Sequence, residues 1–168
     1  MKKILVFCMI VCGCTGLFSQ SAEKIAQMLE APTVNFADIS YVAATYLNLV
    51  ENSTSGEDSI NALDRYTEFP KISQNNDALT YEDFAYFCMR TWNIKGGLFY
   101  TLTKSPRYAF TELQAKNIIH PSIQPDDFVP GYAVLTYITD VIAYSEEHAT
   151  LDLSKFVKMP MKFHTFMR

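Results

Sequence analysis

The feature that most constrains this chain is a helical unit that recurs at an offset of 45 residues. Asn35-Phe36-Ala37-Asp38-Ile39-Ser40-Tyr41-Val42 lays onto Thr80-Tyr81-Glu82-Asp83-Phe84-Ala85-Tyr86-Phe87, with Asp and Tyr coincident and Asn48 matching Asn93 further on. Asn35 and Thr80 carry side-chain oxygens that accept from the open N–H groups of a first helical turn, so each predicts a helix start. Asp38 and Asp83, three residues on, can reach back as a shortened capping box at the positive end of the helix dipole. Apolar positions then follow at helical spacing: Ile39, Val42, Ala43 and Tyr46 in one copy, Phe84, Phe87 and Cys88 in the other. A third copy opens at Phe128-Val129-Pro130-Gly131. It predicts a helix with Tyr132, Leu135, Ile138, Val141 and Ile142 on one face, ending near Glu146 or Glu147.

Shorter helices fall between the long ones. Ser105-Pro106 reads as an N-cap followed by a first-turn proline, opening a helix through Ala109, Phe110, Leu113 and Lys116. Asn117 is its left-handed stop, after which Ile118-Ile119 pack back. A counterpart from Asp58 to Tyr66 carries Ile60, Ala62 and Leu63, and Ser21 to Glu30 adds a leading helix with Ile25, Met28 and Leu29 on one side. The best strand signal is Leu98-Phe99-Tyr100-Thr101-Leu102. The fold class expected is mainly α, a compact single domain of repeated long-helix, loop and short-helix units over residues 21–150.

Residues 1–20 read as an address. Lys2-Lys3 precede the apolar run Ile4 to Cys12 and then the small residues Gly13, Cys14, Thr15 and Gly16, the pattern of a secretory signal peptide. The run is about half of the roughly 20 apolar residues a spanning helix needs. Cleavage after Ser19 is one reading. Val11-Cys12-Gly13-Cys14 also resembles a lipobox, in which Cys14 becomes the lipidated first residue, tying the protein to a membrane face. The expected location is the periplasm or cell envelope. With Cys8, Cys12 and Cys14 in this leader, Cys88 is left without an intramolecular disulfide partner and reads as a small buried apolar residue.

Charge narrows the partners. The 14 basic and 18 acidic residues give −4, and −6 once Lys2 and Lys3 are set aside with the leader. Phosphate neutralisation by Lys and Arg carries nucleic-acid affinity, so this balance excludes nucleic acid as the expected partner. The tail 151–168 departs from it: Lys155, Lys158, Lys162, His164 and Arg168 interleave with Phe156, Met159, Phe163 and Phe166, and Pro160 interrupts any long helix. Such an end suits peripheral contact with anionic lipid or a protein partner, and folding back onto the acidic domain is the competing reading.

At this level the chain resembles the S-layer homology family of envelope repeats. Thr80-Tyr81-Glu82-Asp83-Phe84-Ala85 looks like that family's Thr-Arg-Ala-Glu element. Tyr108 to Ile119 looks like its second helix and Gly-Ile-Ile-like return, and Pro125 to Tyr132 resembles the approach to a further repeat. The likeness spans about residues 35–142. It implies a non-catalytic helical module that binds or organises cell-wall glycan or an envelope partner. The chain departs where the family places an Arg that helps hold an anionic glycan substituent, because Tyr81 and Phe36 stand there and cannot make its bidentate contact.

Candidate ligand-binding residues cluster in one loop: Gly96, Gly97, Tyr100, Lys104, Arg107 and Tyr108. The paired glycines allow close backbone approach, the cations flank a helix N-terminus, and the tyrosines offer flat faces to sugar rings. The competing reading is a tight turn whose glycines supply positive φ, with solvated charges and packing tyrosines. His120, His148 and His164 lie far apart without metal-ligand spacing, so no metal is expected, and no motif calls for a cofactor. Glu82/Asp83 and Asp126/Asp127 could serve a small secreted hydrolase if they converged in a cleft. Read as helix-start acids they should lie apart instead. Trp92 reads as a core anchor.

Overall fold

A computed structural model describes residues 22–51, 54–67 and 77–157, and side chains within them up to residue 149. The segment read as a leader, with the Cys14 expected to carry lipid, and the residues beyond Val157 lie outside the described residues. Seven helices occupy the described chain: α1 (22–30), α2 (Phe36–Tyr46), α3 (Gly56–Tyr66), α4 (Tyr81–Thr91), α5 (Leu98–Thr103), α6 (Pro106–Ala115) and α7 (Gly131–Val157). The protein is mainly α, as its periodicity implies.

Matching ends define the repeat. Asn35 accepts from the Asp38 N–H at 3.0 Å while the Asp38 carboxylate accepts from the Asn35 N–H at 3.1 Å, a complete capping box. Thr80 Oγ1 accepts from the Asp83 N–H at 3.3 Å and donates to the Asp83 carboxylate at 2.9 Å. The far ends agree as well. Asn48, Asn93 and Asn117 all adopt positive φ, at 55°, 48° and 58°. In each case the next residue's N–H reaches back to close a Schellman motif: Leu49 to Ala44, Ile94 to Met89 and Ile118 to Leu113. Asparagine serves here because its short amide side chain tolerates the left-handed region better than other non-glycine residues.

Three backbone hydrogen bonds close the units on one another. The Val34 N–H donates to the Val129 carbonyl at 3.0 Å, Val129 to Leu79 at 3.0 Å, and Leu79 to Val34 at 2.8 Å. Each residue directly precedes a helix start, and all three are buried. The ring satisfies buried peptide groups that would otherwise lack partners, with no strand among the described residues. It also fixes the third copy: Pro130 stands where Asn35 and Thr80 stand. Ile39, Phe84 and Val134 therefore share one register position, and Ala43, Cys88 and Ile138 the next. All six are buried in one core.

Side chains connect the three long helices. Phe36 meets Phe87 edge-on at 5.6 Å, and Tyr81 and Phe84 meet Tyr137 at 5.7 and 6.0 Å. The Tyr46 hydroxyl donates to Glu146 at 3.2 Å, joining α2 to α7. Second helices pack on their own first helices, α3 on α2 and α6 on α4. Trp92 is half-buried between Tyr46 and Phe87, the anchoring role expected of it.

Three expectations are corrected. Residues Leu98–Thr103 form helix α5, not a strand: β-prone residues without a partner strand gain nothing from extension, and Thr101 and Thr103 hydroxyls bond back to Gly97 and Phe99 carbonyls. Tyr132 is exposed, and Val134 takes the core position. Helix α7 continues past Glu147 to Val157, so it enters the segment assigned to the tail. Ala149, Leu151, Leu153 and Lys155 are sound helix formers, and Pro160 is the first breaker.

Candidate functional site

An open cleft of about 800 Å³ lies where the C-terminal end of α4 meets α5 and the end of α3. Its walls arise from local rules. The Schellman turn at Asn93 ends α4 and turns Ile94 inward, leaving Arg90 and Lys95 on the cleft lining. Lys95 then leads into Gly96, Gly97 and α5. At the far end Lys104 caps α5 in the left-handed conformation, φ 48°, with its N–H donating to the Tyr100 carbonyl at 2.7 Å. Tyr66 and Thr67, at the end of α3, supply the facing wall.

The structure divides the candidate residues. Gly96, Tyr100 and Lys104 line the cleft; Gly97, Arg107 and Tyr108 do not. Gly96 is needed for contact rather than for φ, since no described glycine has positive φ and a Cβ there would press to 2.9 Å on Tyr100 Cβ and Cγ. The tight-turn reading is corrected accordingly: Lys104 and the asparagines take the left-handed positions. Gly97 offers no open donor. Its N–H is held at 2.7 Å by Glu112, whose carboxylate also accepts from Lys116 at 2.9 Å. Burial alone would raise the Glu112 carboxyl, but these bonds outweigh it and hold it below the ordinary range. Tyr108 stacks on Phe99 at 5.6 Å on the outer side of α5, and Arg107 is exposed beside it.

Tyr100 is the buried floor. Its phenol is pushed up to about 12, first by burial, then by Tyr86 and Glu112, with Arg90 opposing. It therefore stays a neutral hydroxyl under physiological conditions. Thr91 also lines the cleft, and its buried hydroxyl has no hydrogen-bond partner among the described residues. Three cations, Arg90, Lys95 and Lys104, line the cleft with no acidic side chain among its described lining.

Arg90 and Lys95 were absent from the sequence-level site. A signal for them exists: residues 84–111 contain Arg90, Lys95, Lys104 and Arg107 and no Asp or Glu, within a chain whose balance is −4. Only the fold folds that stretch back on itself, so that the end of one helix and the start of another share a wall.

The carboxylate pairs lie elsewhere. Asp83 is engaged with its Thr80 cap, and Asp127 accepts from the Gln124 N–H at 2.8 Å in a turn. The Asp127 and Pro125 carbonyls accept from the Tyr81 and Glu82 N–H groups, so this loop caps α4 through its backbone. None of these four acids lines the cleft. His120 is held by Ser122 and His148 by Tyr144, and no metal-ligating cluster occurs among the described residues. No helix is long and apolar enough to cross a membrane among the described residues. Comparison with protein-family models, curated proteins and solved structures returned no match.

Proposed function

We propose that this chain is an exported, non-catalytic protein of the cell envelope that holds an anionic group of a wall glycan in the cleft at the end of α4. The observation that carries the reading is the gathering of Arg90, Lys95 and Lys104 around the Tyr100 floor of one cleft. Arg presents a planar fork suited to carboxylate or phosphate, and lysines add point charges at the rim. Tyrosine at the floor and at the Tyr66 rim gives flat apolar surface for a sugar ring.

The resemblance to S-layer homology repeats supports the envelope setting, and the ring of three equivalent helix starts suits a repeat of that kind. The ligand contact differs, because position 81 lies at the start of α4 and Arg90 at its end. A partner protein presenting a carboxylate is the second reading that the same chemistry admits.

The test is co-sedimentation with isolated cell-wall sacculi across salt concentrations. Binding should saturate, weaken with salt, and fall about tenfold in Lys95→Ala/Lys104→Ala, or about 1.4 kcal/mol. Arg107→Ala, outside the cleft, should bind as wild type. Equal binding by the double variant would remove this reading.

A further inference from the structure

Helix α5 is an addition to the repeat. The asparagine stops Asn48 and Asn93 lie 45 residues apart, whereas the second-helix caps Ser55 and Ser105 lie 50 apart. The five extra residues of the second unit build α5, and the core takes only Tyr100 from it. Leu98, Phe99 and Leu102 are 70%, 64% and 73% exposed, and Phe99 stacks on the part-exposed Tyr108. Positions 98, 99 and 102 fall on one side of the helix, away from the cleft-lining positions 100, 101 and 104.

We propose that this outer face of α5 is an interfacial docking face that inserts into an anionic lipid surface. Two observations select lipid over a protein. The protruding face is one short helix with three large apolar side chains, far below the roughly 800 Å² per partner that a specific protein interface buries. Cations stand at both ends of it, Lys95 before α5 and Lys104 and Arg107 after it, and the acid that reaches α5, Glu112, is already paired with Lys116 at 2.9 Å. Apolar tips between cations match the acyl boundary and phosphate layer of an anionic leaflet. The apolar side chains of this face are separate from the glycan cleft, since Phe99 and Leu102 do not line it, while Lys95 and Lys104 border both.

The experiment places an environment-sensitive fluorophore on Leu98→Cys in the full chain with Cys8, Cys12 and Cys14 changed to Ser; Cys88 is fully buried. Vesicles of mixed phosphatidylglycerol and phosphatidylcholine should blue-shift and brighten the probe several-fold, phosphatidylcholine alone should not, and salt should reverse the change. A probe on Glu147→Cys should not respond, which separates α5 from the leader and the tail. Phe99→Ser/Leu102→Ser should cut the α5-dependent partitioning by about tenfold while sacculus binding persists. An unresponsive Leu98 probe overturns the proposal. So does probe quenching by a protein partner or a second copy in the absence of vesicles, or a Leu98 probe response undiminished in the double-serine variant.

Discussion

Replacing Gly131 with alanine tests the junction on which the third unit depends. Gly131 opens α7, is buried, and donates its N–H to the Ala31 carbonyl at 3.2 Å. A Cβ there would fall on the Met28 carbonyl oxygen and come within 2.8 Å of the Ala31 oxygen. Both are backbone atoms at the end of α1 and cannot rotate aside, so α1 must lift off α7. Overpacking of this kind costs about 1–3 kcal/mol. Loss of the Ala31 bond adds about 1 kcal/mol, and alanine's better helix propensity returns up to about 1 kcal/mol. The net is about 1–4 kcal/mol, which for a domain of this size lowers Tm by roughly 2–16 °C. Thermal unfolding followed by far-UV circular dichroism reads it. Gly97→Ala is the control, because its Cβ would meet Glu112 Oε1 at 2.7 Å, the end of a flexible side chain, and should cost about 1 kcal/mol or less. A Gly131→Ala protein melting within about 1 °C of wild type, on the scaling used here, would refute the reasoning.

Further outcomes follow from the same contacts. Cys88 is fully buried and burial pushes its thiol well up, so in the chain with serines at positions 8, 12 and 14 it should resist a thiol reagent until denaturant is added; rapid labelling of the native protein would contradict this. Tyr100 is raised above the ordinary 10.0 to about 12, so its stabilising preference for the neutral form is intact below about pH 10 and is lost as pH rises towards 12. Tm should fall across that window more steeply for wild type than for Tyr100→Phe, and parallel curves would count against it. Asn93→Ala should lose about 1 kcal/mol and Asn93→Gly little or nothing, because Asn93 sits at φ 48°; equal melting of the two would show that the left-handed turn is not the constraint. Thr80→Ala should cost about 1 kcal/mol in urea unfolding through loss of the Asp83 cap, and an unchanged midpoint would show the cap contributes nothing.

Much of the helix layout was legible because it is written in local chemistry. Asn35, Thr80 and Asn117 announce their roles through hydrogen-bonding groups that act within three or four residues. The errors arose where the deciding partner is distant in sequence. Leu98 to Leu102 has strand-like residues, yet strand formation depends on a neighbouring strand that the fold does not supply. Tyr132 fits the apolar periodicity of α7, but the ring through Val129 sets the rotation of that helix and turns Val134 inward. For the site, the loop from Gly96 to Tyr108 was found as a segment, while its division into cleft and outer face was not. That division rests on Tyr100 tucking against Gly96 and on Glu112 holding the Gly97 amide from fifteen residues away.

The sequence by itself determined the starts at Asn35 and Thr80, the asparagine stops and the repetition of one unit, because these follow from side chains acting on their own backbone. Only the tertiary structure decided how the units close on one another through Val34, Leu79 and Val129, and that Arg90, Lys95 and Lys104 share a wall. Buried peptide groups must find partners wherever the chain can bring them. The rotation and docking that result, rather than any local motif, gather the charges into one place.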